Sequence, residues 1–505
     1  MNKKIILIIY FICCGMLTHA ATYNIIDFGA KSDGYTLATA SIQKAIDECH
    51  AKGGGVVYAP RGTYLVGTIN LKSNVEFRFE TGAVLKATTD LAQYQRHNKE
   101  LAGVFYTEKA ENVSITGNGK ILGRGMEFMY EGKAKTIGDD QKAFTRQKEN
   151  FRKVIDGGIG DGPLFPKDRF HQMVIFSECT NLALSDFECI DAPYWTILIV
   201  HCDRVKVTGL TIDNNLLIPN SDGIDVISCS NVNISNCYIT CGDDAIVVAG
   251  YGNHHGDPGF KDIMKPSKNV NVSNCILQSR SSGIRIGGHD QNHMSDYNFD
   301  NIVIYDSNRG INISVSDTGS VQNMNFSNIR IETRLHTGDW WGQGEPINIT
   351  AMMLIPEKPE IGIIKNLNFT NITCVGENSI VMIAADNTKI QNVTFTNFDF
   401  ILKKSVLEDV AGGNFDLRLN AFREKELYKV DIPVVYIENA ENVYFNQGNI
   451  GWDGVQASHY THAIEAVRVN NMKLNNMTAT SSPSNSKLPA LQLTDCSKIT
   501  NNILK

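Results

Sequence analysis

The feature that most restricts what this chain can fold into is an imperfect repeat. A polar residue, usually Asn, precedes two or three alternating apolar positions. The phrase recurs at Asn112-Val113, Asn181-Leu182, Arg204-Val205, Asn231-Val232, Asn269-Val270, Asn298-Phe299, Asn323-Met324, Asn366-Leu367, Asn392-Val393, Asn442-Val443 and Asn471-Met472. From Asn181 onward the shorter gaps between anchors are close to 25 residues, and the longer ones, up to 50, carry insertions. Within each unit, runs such as Val232-Asn233-Ile234 and Ile284-Arg285-Ile286 alternate with period two, the pattern of short strands with one buried face. Short strands at a fixed period, with no crossover helix between them, predict an all-β right-handed parallel β-helix. In that solenoid each strand stacks on its equivalent one coil later, about 4.7–4.9 Å away.

The cysteines keep the same phase. Cys179, Cys202, Cys229 and Cys496 each stand two residues before an anchor, at Asn181, Arg204, Asn231 and Lys498, while Cys237 and Cys275 each follow one by six. Free Cys is among the most buried residue types, so a stack of buried thiols is expected in preference to disulfides. Residues 39–52 place Ile42, Ala45, Ile46 and Cys49 on one helical face, and Gly53-Gly54-Gly55 ends the run. A solenoid needs its first coil shielded, so this helix is the expected cap, with residues 21–95 forming the cap and first coils. The stretches 126–170 and 403–432 are charged and off-period and read as excursions. Loops at 251–268, 289–297 and 335–345 interrupt the central coils, and the last contains Trp340 and Trp341, each placed either on a sugar ring or in its own loop.

Residues 1–20 read as a signal peptide: Lys3 and Lys4, the apolar run Ile5 to Cys14, then Thr18-His19-Ala20 at the cleavage position. The remaining chain, 21–505, is expected to be one exported β-helix domain, periplasmic or extracellular, monomeric and free of the membrane. The chain has 505 residues, 42% hydrophobic and 20% charged, enough apolar material to exclude wholesale disorder. A net charge of −7 argues against a nucleic-acid footprint, which needs basic stripes. No Cys/His spacing suggests zinc, and Gly117-Asn-Gly-Lys-Ile-Leu-Gly123 does not fit a dinucleotide fingerprint. No metal or cofactor is expected.

Setting the central coils on their apolar positions aligns Ile224, Ile246, Ile284 and Ile311 as one inward row. Asp222 then stacks beside Asp244, with Asp243 one position earlier, and Ser282 and Arg309 continue that row. A second row holds Asp225, Val247, Arg285 and Asn312. Like charges this close raise at least one pKa, so a protonated acid can sit beside an ionised base. Glycoside hydrolysis uses that division of labour. A solvated turn or a calcium site is the bland alternative.

Asn220-Ser-Asp-Gly-Ile-Asp225 followed by Gly242-Asp-Asp244 resembles the polygalacturonase family, glycoside hydrolase family 28. Tyr23-Asn-Ile-Ile-Asp-Phe-Gly-Ala-Lys-Ser-Asp-Gly34 and Asp191-Ala-Pro-Tyr-Trp195 are similar to other parts of the same family. The resemblance implies a parallel β-helix and inverting hydrolysis of an α-linked uronic acid in pectin-type polysaccharide. It also implies Asp243 as general acid, Asp222 and Asp244 as the pair that activates water, and Asn220 as a residue that holds the motif. Two family motifs are absent. Ser281 or Ser282 stands where Gly-His-Gly is usual, and Asn312-Ile313-Ser314 replaces the Arg-Ile-Lys that grips a uronate. Arg285 and Arg309 are candidates for a displaced cation and His289 for a cleft residue; His254 and His255 are placed on an inserted loop. The large insertions favour exo action on a pectin- or rhamnogalacturonan-type chain. A polysaccharide lyase and a non-catalytic carbohydrate-binding solenoid are the alternatives.

Overall fold

The computed structural model describes residues 21–154, 159–252, 256–353, 360–418 and 426–504. The repeat folds as a right-handed parallel β-helix. Among the described residues one sheet has 13 strands and another has 22 that wrap two faces of the coil, and every pairing within both is parallel. From Ser267 to Asp453 the strands of the larger sheet lengthen to 13 or 14 residues, as in Ser267–Ser279, Met294–Ser307 and Ile390–Lys403. The loop predicted at 289–297 is therefore shorter, because a strand already begins at Met294.

The Asn anchors have a local cause. Asn112, Asn181, Asn231, Asn269, Asn323, Asn366, Asn392, Asn442 and Asn471 all adopt the left-handed conformation, with φ between 55° and 63°. Asn tolerates this better than most side chains. Each turn of chain also lets one Asn amide bond the next: Asn366 to Asn323 at 2.9 Å, Asn392 to Asn366 at 2.8 Å, Asn442 to Asn392 at 2.8 Å. One anchor is corrected. In the coil assigned to Asn298 the left-handed residue is Asp296, at φ 65°, and its carboxylate accepts from Asn323 at 3.0 Å, 27 residues on. Asn298 lies within the strand and donates to Asn271.

Inside the coil, equivalent residues form rows. Cys179, Cys202 and Cys229 stack as buried free thiols, with the Cys179 and Cys202 amides donating to the next sulfur at 3.2 Å. Helix α1 (Thr39–Ala51) buries Ile42, Ala45, Ile46 and Cys49 and packs on the strands Gly55–Ala59 and Ile69–Asn70. Both predicted excursions leave the coil and contain short antiparallel ribbons, Met129–Ala134 with Leu164–Pro166 and Asn414–Asp416 with Leu427–Lys429.

Five strands of the smaller sheet carry the region of interest: β1 (Ile224–Ile227), β2 (Ile246–Ala249), β3 (Ser282–Gly288), β4 (Arg309–Val315) and β5 (Ile347–Ala351). Their register pairs Ile224, Ile246, Ile284, Ile311 and Ile347 in one inward row. Asp225, Val247, Arg285, Asn312 and Asn348 form the outward row. That outward face is not bare. Tyr251 and Phe260, from the insertion after β2, pack with Val247, Ala249, Leu198 and Ile227 in a second apolar cluster. The insertion thus dries the ground beside the aspartates.

Candidate active site

Asp222 precedes β1 and Asp243-Asp244 precedes β2, in turns tied together by the sheet. The Gly223 amide donates to the Asp244 carbonyl at 2.9 Å, and the Ala245 amide to the Ser282 carbonyl at 2.9 Å. Glycine is required at two flanking positions. A Cβ on Gly223 would lie 2.3 Å from the Ala245 carbonyl oxygen, and one on Gly242 would lie 2.1 Å from that of Ile218. The three carboxylates converge as a result, each offering an oxygen within 4.8 Å of the other two. Asp222, Asp243 and Asp244 are only 3%, 6% and 2% exposed.

Their surroundings differ. Asp244 accepts from the Ser282 amide at 2.8 Å and pairs with Arg285 Nη1 at 3.2 Å. Burial, then repulsion by Asp244, push the Asp243 carboxyl up to about 7, against the opposing pull of Arg285. Asp222 also lies well above the ordinary range, through burial and then the charges of Asp243, Asp225 and Asp244; its Oδ1 has no hydrogen-bond partner. Asp225, beneath them, is raised by burial and by Asp244. A cluster built this way retains protons at neutral pH while one member faces a cation.

All seven predicted site residues, Asn220, Asp222, Asp243, Asp244, Arg285, His289 and Arg309, line one cavity of about 230 Å³. Arg285 also donates to the Gly287 carbonyl at 3.1 Å and the Tyr251 hydroxyl at 3.2 Å. Burial opposes its charge, but Tyr251, Asp244, Asp222 and Asp243 outweigh burial and hold its pKa above the usual value. Arg309 occupies the predicted row, register-paired with Ser282, yet its guanidinium pairs with Glu345 at 3.1 Å and bonds the Asp416 carbonyl at 2.5 Å. His289 Nδ1 lies 3.3 Å from the Ser316 hydroxyl. His254 and His255 lie outside the described residues. Trp340 is 2% exposed and donates to the Asp161 carbonyl, so it is buried against the 126–170 excursion, a placement neither expectation named. Trp341 lines the cavity with Arg418 over its ring at 4.9 Å.

Sequence reasoning missed several groups. Arg169 lies over the Tyr194 ring at 4.7 Å, bonds the Pro219 carbonyl at 2.9 Å and reaches Asn220 Oδ1 at 3.3 Å. It thereby pins the turn that delivers Asp222; burial brings its pKa down to about 10. Arg418 and Asp416 enter from the 403–432 excursion and are joined by Asp339. The only local signal for them was that this stretch is charged and off-period.

The geometry agrees with comparisons to known proteins. Residues 164–407 match the model of Glycosyl hydrolases family 28, and residues 22–148 match Rhamnogalacturonase A/epimerase, pectate lyase-like. The segment that holds the three aspartates thus matches family 28. It is a divergent match, with Ser281-Ser282 and Asn312-Ile313-Ser314 at the two altered motifs. The chain is 27% identical over 263 residues to a probable polygalacturonase of Vitis vinifera, covering 47% of each chain. It is 25% identical over 232 residues to an exopolygalacturonase of Zea mays, covering 45% of this chain and 48% of the relative. The chain thus spans about half the length of the curated relatives it matches. The family 28 exopolygalacturonase of Yersinia enterocolitica shares the fold, with a TM-score of 0.61 and 17% identity over 96% of this chain and 79% of that one. The exopolygalacturonase of Thermotoga maritima gives a TM-score of 0.55 and 21% identity over 76% and 87%. No helix among the described residues is long and apolar enough to cross a membrane.

Proposed function

We propose that this chain is an exported glycoside hydrolase that cleaves an α-linked bond in a uronate-containing polysaccharide of pectin or rhamnogalacturonan type. The observation that carries this reading is the convergence of Asp222, Asp243 and Asp244 in one cavity, within a segment that matches family 28. Asp243, raised to about 7, donates its proton to the leaving glycosidic oxygen as the C–O bond breaks. Asp222 and Asp244 take a proton from the water that attacks the anomeric carbon, and Arg285 orients Asp244. Arg169, through Asn220, positions Asp222. Export rests on the signal-like segment at 1–20.

Inversion needs the attacking water on the face opposite the leaving group. The carboxylates sit closer together than the roughly 6.5–9.5 Å common for opposed inverting pairs. On this reading the water is therefore held by Asp222 and Asp244 jointly. Proton NMR of the first anomer released tests this directly: the α anomer from an α bond would rule inversion out. Exo action is supported by the residues that the loop at 335–345 and the 403–432 excursion add to the cavity, Trp341, Asp416 and Arg418. Long oligomers early in a digest would refute it.

The decisive experiment is digestion of polygalacturonan and rhamnogalacturonan by the wild type, Asp243→Asn and Asp222→Asn. Retained activity in both variants ends the hydrolase reading. The triad is also compact enough to take a divalent cation, which is what a lyase would use. An unsaturated, ultraviolet-absorbing product whose formation stops in chelator would favour that alternative.

A further inference from the structure

The altered uronate motif leaves a question of charge. Four carboxylates (Asp222, Asp243, Asp244, Asp416) and three guanidinium groups (Arg285, Arg309, Arg418) line the cavity, with His289 beside them. Every one of these guanidiniums already faces a carboxylate. Arg285 is 3.2 Å from Asp244, Arg309 is 3.1 Å from Glu345, and Arg418 is 2.7 Å from Asp416 and 3.0 Å from Asp339. Drawing any of them to a substrate carboxylate would strand a buried protein charge, the costly event in a poorly solvated site. A uronate seated here adds a negative charge where the cations are already matched.

Past Arg285 the same sheet face carries one further charge, Arg309 at the start of β4, and Glu345 already matches it. The other cavity-lining positions on β4 and β5, Asn312, Ser314, Asn348 and Thr350, are uncharged. Asn348 and Thr350 are 3% and 1% exposed, yet Asn348 Oδ1 and Thr350 Oγ1 have no hydrogen-bond partner within the protein. Asn348 Nδ2 is occupied by Asn312 Oδ1 at 2.8 Å, which leaves Oδ1 to accept. Buried polar groups of this kind call for a partner. Asn348 Oδ1 can only accept, so a sugar hydroxyl completes it and an ionised carboxylate does not, while the Thr350 hydroxyl can bond either.

We infer that the sugar held against Asn312, Ser314, Asn348 and Thr350 is neutral and hydroxyl-bearing, a hexose or 6-deoxyhexose, joined to an acidic chain outside the cavity. This rests on the hydrolase reading and specifies its substrate: a mixed neutral–uronate chain rather than a plain polyuronate.

Three defined substrates test it with the full enzyme: an α-1,4-galacturonate trimer, the same trimer with its carboxyls reduced to hydroxymethyl groups, and a rhamnose-ended rhamnose–galacturonate tetramer. At least one of the two neutral-ended substrates should show kcat/KM about tenfold or more above the galacturonate trimer, because a site built to bond a hydroxyl rejects the analogue that lacks it. Asn312→Lys, which adds a cation to the wall, should shift that ratio toward the uronate by a similar factor. Equal or better cleavage of the galacturonate trimer by the wild type overturns the inference and leaves the hydrolase reading standing. Turnover of none of the three overturns the hydrolase reading, and the inference with it. The wild-type ratio decides the matter even if Asn312→Lys fails to fold.

Discussion

Two rows of stacked side chains sit in the same solenoid and behave in opposite ways. In the interior of the later coils, Phe299, Phe326, Phe369, Phe395 and Phe445 form a column of parallel rings with centroids 4.7 to 5.0 Å apart. At the mouth of the central coils, Asp222, Asp243 and Asp244 bring carboxylate oxygens within 4.8 Å of one another. Backbone hydrogen bonds set the rise in both places, and neither column can slide apart to suit its side chains. Rings stacked this way gain contact and lose water. Carboxylates stacked this way repel, and burial removes the water that would screen them. The fold therefore turns a packing device into a proton-holding device wherever the repeated residue is acidic.

The strongest way to break the comparison is to neutralise one acid. Asp243→Asn should lower kcat by roughly 10²–10⁴-fold, the usual contribution of a general acid, measured by reducing-sugar release. Stability should move the other way. The folded Asp243 carboxyl titrates near 7, above its unfolded value, so the wild type loses stability as pH rises from about 4 to about 7. Asp243→Asn escapes that loss and should melt higher than wild type at pH 8, by up to a few kcal/mol, with little difference at pH 4. A variant that is inactive but no more stable at pH 8 would mean the site is not strained by charge.

The Phe column supplies the converse. Phe369→Ala removes a ring stacked on both sides and should cost about 3–5 kcal/mol by thermal or denaturant unfolding. Turnover at temperatures well below melting should be unchanged. Next in size is the tuning of the acid. Arg285 pulls the Asp243 pKa down, so Arg285→Gln should raise it further and move the alkaline limb of kcat/KM above 7, by about one pH unit. A limb that stays put, or falls, would dissociate Asp243 from the profile.

Legibility in the sequence followed the same divide. The inward Ile row, the cysteine stack and the meeting of the three aspartates could be read because each depends only on phase within a repeat. Asp296 escaped because an acidic side chain can take the same left-handed turn as Asn, and Asn298 two residues later imitated the anchor. Arg309 was placed in its correct row, but register fixes a Cα and not a rotamer, and its guanidinium turned to Glu345. Arg169 reaches Asn220 across 51 residues, and Asp416 reaches Arg309 across 107. Such contacts come from excursions that keep no period, so no alignment of coils could find them. Asn348 was hidden by the loop before β5, which broke the count that would have stacked it on Asn312.

The smallest effect lies on the solvent side of the coil and separates two causes that the repeat combines. Asn392 has φ 57°, donates to Asn366 and accepts from Asn442, each at 2.8 Å. Asn392→Ala loses those bonds and also places a Cβ without a compensating side chain in left-handed backbone, a cost of about 1–2 kcal/mol. Asn392→Gly loses the same bonds but meets no Cβ penalty. The glycine variant should therefore melt closer to wild type than the alanine variant, with turnover unaffected in both. Equal melting of the two would assign the whole benefit of Asn to the amide column, and the backbone turn would no longer explain why Asn marks the repeat. A glycine variant as stable as wild type would assign it to the turn alone, leaving the exposed amide bonds without net weight, as solvent competition at the surface would dictate.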